Sequence, residues 1–171
     1  MSILNNIIDK GPMNRTRRNH AVEHATMHIL AKKEEGQFLG GHSDSRGITI
    51  IGNVSTEDVQ QAIEEAIQRL HAGETRLAIH PNCGTNFVAS GFLAGIGAWV
   101  AMLGNPKGLR AKIDRLPLVM TLVTMVLIFS RPVGPMLQQY LTTNPDIGDF
   151  KVYQIMRHDY KNFVVHRILT Q

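Results

Sequence analysis

Cysteine is all but missing from these 171 residues, and Cys83 stands alone. A single thiol excludes an internal disulfide and suits a reducing compartment or a metal ligand. Aromatic residues supply only 6% of the chain, and no basic stripe carries them interleaved, which argues against nucleic acid as a partner. The net charge of +4 is modest and suits an anionic membrane surface better. Repeats and low-complexity tracts are absent. The opening Met1-Ser2-Ile3-Leu4-Asn5-Asn6-Ile7-Ile8 lacks the length and preceding positive charge of a signal peptide, so no cleaved leader is expected.

Charge is also missing locally. Phe87 to Gly104 is 18 residues without a charge, and Pro117 to Ser130 is a second uncharged run that continues past Arg131 to Leu137. A membrane span takes about 20 apolar residues, with about 18 as a working lower limit. The first run qualifies, and the second does so if Arg131 reaches out to the interface. The alternative is a buried helical hairpin in a soluble protein, but 86 preceding residues are few to bury both runs on all sides. The expected organisation is therefore an α+β domain over residues 1–86, a two-helix transmembrane hairpin over 87–141 and a C-terminal β-hairpin over 142–171. Between the runs, Asn105 to Leu116 carries Lys107, Arg110, Lys112 and Arg115 against Asp114. The positive-inside rule sets this loop in the cytoplasm and both termini outside. A domain ahead of an internal anchor with no leader more easily stays cytoplasmic. The two arguments conflict, and the cytoplasmic N-terminal domain is preferred.

Within the first segment, Gly11-Pro12 is expected to break any helix, and Asn19 to cap one running to Lys33, with Glu34-Glu35-Gly36 ending it. Residues 38–47 read as a turn-rich loop and Ile48–Val54 as a strand. Ser55 or Thr56 caps a helix over Val59–Leu70, and Thr75–His80 reads as a second strand. Phe150–Met156 and Asn162–Leu169 flank a turn, a hairpin able to extend the N-terminal sheet. The result is a helix-on-sheet layer.

The stretch that carries chemistry is Asn19-His20-Ala21-Val22-Glu23-His24-Ala25-Thr26, with the spacing H-x-x-E-H. On a helix His20 and His24 lie one turn apart on one face and can offer neutral imidazoles to one tetrahedral zinc ion. Glu23 lies beside them, where a carboxylate can serve as general base. Ordinary helix-surface His–Glu pairs share this spacing. The flanking residues argue for more: the face holding Met27, Leu30 and Ala31 beside the histidines is not that of a solvated helix.

A catalytic metal normally takes a third protein ligand. His42 and Asp44 in the glycine-rich Gly40–Gly47 segment, His80 and Cys83 in His80-Pro81-Asn82-Cys83-Gly84-Thr85-Asn86, and Glu64 or Glu65 are the candidates. The His80/Cys83 segment is the most suggestive, and the glutamates fit a solvated helix face better. His28 stands about 80° round the helix from His20, a harder partner for the same ion.

These residues carry two resemblances. His20-Glu23-His24 resembles the motif of the inverted-zincin metallopeptidases of the pitrilysin class, in which two histidines bind zinc and the glutamate is the base. The family's later glutamate has no counterpart, since its distance falls inside the first apolar run. The blocks N-H-A-V-E-H-A-T, G-H-S-D-S-R-G and H-P-N-C-G-T-N, followed by two apolar helices, resemble a bacterial two-helix membrane-protein family of unknown function. The expectation is a membrane-bound zinc-type metallohydrolase in a bacterial inner membrane, plasma or photosynthetic, acting on a peptide or amphiphilic substrate. The alternative is a non-catalytic accessory subunit of a larger membrane complex, or a homo-oligomer, whose histidines bind metal or pigment or brace the structure.

Overall fold

The computed structural model describes residues 10–34, 36–104 and 108–171. Residues 1–9, Glu35 of the helix end and residues 105–107 of the basic loop lie outside them, and of the loose lead-in that the sequence suggests over residues 1–14 the described part from Gly11 is helix instead. The chain divides into two compact units, one running up to His80 and resuming at Gln138, the other covering residues 81–137.

The first unit is mixed α+β. Its long helix, α1 (Gly11–Lys33), begins eight residues before Asn19, and Pro12 lies in its first turn. A proline costs nothing there, because its missing N–H would have no helical acceptor. Asn19 is buried inside the helix rather than capping it, donating to the Asp44 carbonyl at 2.6 Å and accepting from Thr170 Oγ1 at 2.6 Å. Strands β1 (Leu39–Asp44) and β2 (Gly47–Gly52) follow, so much of the expected 38–47 loop is strand, paired from Leu39↔Gly52 to Asp44↔Gly47. The glycines survive in β1 because a partner strand satisfies its backbone, which propensity alone does not register.

Helix α2 (Thr56–His71) is capped by Ser55, whose hydroxyl accepts from the Asp58 amide at 3.0 Å. Val59, Ile63, Ala66 and Leu70 are its buried stripe, as the periodicity predicts. Thr75–Ala78, expected as strand, is a single 3₁₀ turn. Among the described residues no strand lies alongside it; the carbonyls of Ala78 and Ile79 instead meet side chains of α1.

At the other end of the sequence, β3 (Val152–Asp159) and β4 (Val164–Thr170) form the expected hairpin. β4 pairs with β2, giving a four-stranded antiparallel sheet in the order β1-β2-β4-β3. Residues from both ends of the sequence thus share one sheet. Ile48, Ile50 and Ile168 are fully buried and meet Val22, Ala25, Leu30, Val59 and Ile63 in one core. The alternation of β2 and β4 places these side chains together on one face.

The second unit is helical. α3 (Gly84–Ala101) is long and apolar enough to cross a membrane, and it covers the first uncharged run. α4 (Leu109–Asp114), α5 (Leu116–Phe129) and α6 (Val133–Leu137) follow. Taken with the residues after it up to Thr142, the second apolar stretch is bent by 49° at residues 130–132. α3 and α5 approach closely at Gly97, where a Cβ would stand 3.0 Å from Val126 Cγ2. Phe87, Val88, Phe92, Trp99 and Phe129 are each more than 60% exposed.

His166 is a buried polar group of the first unit. It lies on the core side of β4 opposite Ile50, 3.1 Å from Thr56 Oγ1 through Nε2, and among the described residues its Nδ1 has no hydrogen-bond partner. Burial first, and the charge of Arg157 across the β3–β4 pair second, hold its pKa below the usual histidine value. The unfolded chain therefore takes up this proton more readily than the folded one. The stability involved is complete above about pH 6.5 and is lost as pH falls through that value toward the folded pKa. The thermal unfolding midpoint of the purified chain should drop between pH 8 and 5.5, and His166→Gln should flatten that drop. An equal drop in the variant would refute this role.

Candidate metal centre

Helix α1 is closed in on several sides. Glu23, His24 and Met27 are each less than 7% exposed, in keeping with the covered histidine face that the sequence implies. Its faces differ in what they meet. The side carrying Asn19 and Glu23 lies on the sheet, and the side carrying His20, His24 and His28 faces the 3₁₀ turn and the segment after Gln138.

Each histidine is held by a backbone carbonyl. His20 Nδ1 lies 3.0 Å from the Thr142 oxygen, and His24 Nδ1 lies 2.7 Å from that of Ala78. A carbonyl oxygen only accepts, so in both rings Nδ1 carries the hydrogen and Nε2 carries the lone pair. Metal-binding histidines are usually oriented this way, with one nitrogen donating to a carbonyl while the other coordinates. In His28 the arrangement is reversed: Nε2 donates to the Ile79 carbonyl at 2.9 Å, leaving the lone pair on Nδ1.

His80 joins this group. Its ring centre is 5.6 Å from that of His24 and 4.7 Å from that of His28, while His20 and His24 are 4.2 Å apart. Two imidazoles on one tetrahedral ion, with nitrogen–metal bonds of about 2.0–2.1 Å, have ring centres about 5 Å apart. The neighbouring pairs all lie near that spacing, and the donor set fits a borderline ion such as zinc. Gln138, fully buried, fixes the His80 backbone in both directions, accepting from its N–H at 2.8 Å and donating to its carbonyl at 3.2 Å. Burial first, and the proximity of His28 second, keep the His80 imidazole toward its neutral form.

The segment after Gln138 was not singled out by its sequence, yet it positions half of this arrangement. Arg17 of α1 donates to the carbonyls of Thr143 at 3.0 Å and Tyr140 at 3.3 Å, and the Asn144 amide donates back to the Arg17 carbonyl at 3.0 Å. These contacts bring Thr142 over His20. A polar Gln138 right after an apolar stretch is the signal that could have found it.

His42, Asp44, Glu64 and Glu65 are placed elsewhere. His42 is on β1 opposite Thr49, exposed, on the sheet face turned away from α1. Asp44 closes the β1–β2 turn, accepting from the amides of Arg46 and Gly47, and pairs with Arg167 at 2.9 Å. Its burial works against the charge, yet the Arg167 guanidinium and the two amides together hold its carboxyl below the usual range. Glu64 accepts from Gln60, and Glu65 pairs with Arg69 on the exposed face of α2. Cys83 belongs to the second unit, at the N-cap of α3.

Glu23 lies against β1 at Gly41, where a Cβ would stand 2.2 Å from its Oε1 and 2.9 Å from its Cδ. Only glycine leaves room for the carboxylate at this strand.

A family model described as a domain of unknown function, DUF6391, matches residues 15–155. This chain belongs to the DUF6391 family. The match takes in α1 and its motif, the β1–β2 hairpin, α2, the segment around His80 and both apolar helices. The chain is also similar to an uncharacterized protein of Picosynechococcus sp. (strain ATCC 27264 / PCC 7002 / PR-6), at 36% identity over 97 residues, covering 49% of this chain and 47% of that one. It thus spans about half the length of the curated relative it matches. No solved structure matches.

Gly41→Ala should destabilise the chain by about 1–3 kcal/mol, as forced overpacking does. In Gly41→Ala/Glu23→Ala the added methyl meets no carboxylate. A double-mutant cycle from denaturant unfolding should then show coupling of at least about 0.5 kcal/mol; strict additivity would show that the two do not press on each other.

Proposed function

We propose that this chain is a membrane-bound metallohydrolase that holds zinc on His20 and His24. The observation that carries the reading is the tautomer of these two rings, each fixed by a backbone carbonyl so that its Nε2 lone pair is presented from the same helix face. The third ligand comes from the segment that follows the 3₁₀ turn. Cys83 is our choice, three residues beyond His80 and so at most about 10 Å of chain from it. Zinc would supply Lewis acidity toward a carbonyl-like centre and toward water. Glu23, on the same turn of α1, would accept the water's proton and pass it to the leaving group.

Membrane residence is supported by α3, which has the length and composition of a span, and by its exposed Phe87, Phe92 and Trp99. A bacterial inner membrane, with the first unit on the cytoplasmic side, is the proposed location. A peptide or an amphiphilic ester or amide at the bilayer surface is the substrate class that such a position favours. Release of the chain from membranes by alkaline carbonate, without detergent, would rule out an integral span.

A second reading is favoured by the lie of Glu23 on Gly41 of β1. A carboxylate packed against a strand suits a brace, and the chain would then be a non-catalytic subunit of a larger membrane complex or a homo-oligomer, with its histidines binding metal or pigment or only bracing the structure. Metal content by mass spectrometry on detergent-purified protein separates the two. The hydrolase reading expects close to one zinc per chain, lost in His24→Ala and kept in Glu23→Gln, with hydrolysis of screened peptides and esters lost in both variants. Zinc retention with no difference in any hydrolysis between wild type and Glu23→Gln would favour the brace. No zinc in the wild type after reconstitution would overturn the metal site altogether.

A further inference from the structure

The His20–His24 pair accounts for two of the four clustered histidines. Beyond it, His28 and His80 have ring centres 4.7 Å apart, near the spacing of about 5 Å for two imidazoles on one tetrahedral ion. They come from different elements, and each is fixed independently. His28 is held through Nε2 to the Ile79 carbonyl, which leaves its lone pair on Nδ1, and the His80 backbone is clamped on both sides by the buried Gln138 amide. His28 and His80 are both only partly buried, which leaves water access to complete a coordination shell.

We propose that His28 and His80 form a second metal site, one turn along α1 from the first, which takes a borderline divalent ion such as Zn²⁺ with water in the remaining positions. The inference rests on the proposed reading in which His20, His24 and Cys83 hold the first ion, so that His80 is left to pair with His28. Two imidazoles with open positions bind more weakly than a site containing a thiolate. The second site therefore fills after the first. Its ring contact to His24, 5.6 Å between centres, places the two ions as neighbours. A loosely held ion beside a tightly held one is suited to loading the first site or to a second contact with substrate.

The test uses the full chain in detergent, titrated with Zn²⁺ by calorimetry and with Co²⁺ by absorption. Wild type should bind two equivalents, the first bringing a thiolate-to-cobalt charge-transfer band and the second only ligand-field changes. His28→Gln, which retains an amide donor for the Ile79 carbonyl, should weaken the second equivalent at least tenfold and leave the first intact. Cys83→Ser should abolish the thiolate band. A single equivalent in wild type, or a second one undiminished in His28→Gln, overturns the second site. A first equivalent indifferent to both His24→Ala and Cys83→Ser overturns the proposed function instead. In that case selective loss of the other equivalent in His28→Gln still upholds the His28–His80 site.

Discussion

The carbonyl oxygens of Ala78, Ile79 and Thr142 each meet a histidine of one helix, and the site depends on these three bonds. An imidazole on a helix is otherwise free to turn about two torsions and to exchange its proton between two nitrogens. A carbonyl acceptor removes both freedoms, because it takes the hydrogen on a named nitrogen and aims the ring. None of these carbonyls belongs to a helix interior or a sheet ladder, where it would already be satisfied. They come from the end of a 3₁₀ turn and from the last residue of a short π-helical turn, Gln138–Thr142, where terminal carbonyls need partners when buried. Histidine and loop therefore satisfy each other, and the cost of burying either alone is avoided.

That dependence explains why two distant pieces of sequence close around α1. Residues 78–80 and 138–144 are separated by the whole helical unit, yet both pack along the same helix. Gln138 ties them together by hydrogen bonding the His80 backbone on both its donor and acceptor sides, as a neighbouring strand would. Arg17 and Asn144 fix the other edge. β4 extends the same principle to the sheet, since it is β4 and not another N-terminal strand that covers the second edge of β2. The helical unit is thus inserted into the chain of the α+β unit.

Much of this architecture was legible where side-chain periodicity speaks. The buried stripe of α2, the Ser55 cap, the β2 strand, the C-terminal hairpin and the covered histidine face all follow from residue spacing. The misreadings share one cause, which is that a distant partner decided the local structure. Gly40 and Gly41 read as loop, but β2 supplies the ladder that makes them strand. Leu77 and Ile79 read as strand, but among the described residues no strand edge lies beside them, and α1 captures the carbonyls of Ala78 and Ile79. Asn19 reads as a cap, but an Asp44 carbonyl and a Thr170 hydroxyl make it a buried link between helix and sheet. At the site, the H-x-x-E-H spacing pointed to His20 and His24, whereas the positions of His28 and His42 were not legible. A helical wheel sets His28 aside from His20, and only the approach of His80 from another element gives it a neighbour.

The two sides of α1 place opposite demands on the same motif. The histidines face the ends of two short helical turns, whose terminal carbonyls aim the rings. Glu23 faces the sheet, where glycine at position 41 makes room for a carboxylate that any other residue would displace. A buried carboxylate is costly unless its oxygens are engaged, and Glu23 is buried. An acid at Glu23, with a glycine at position 41 to admit it, ties the motif's carboxylate to the sheet. The histidines are constrained from the other side, where the carbonyls of Ala78, Ile79 and Thr142 aim three imidazoles. The polar choice at each of these positions is what joins the fold to the proposed chemistry.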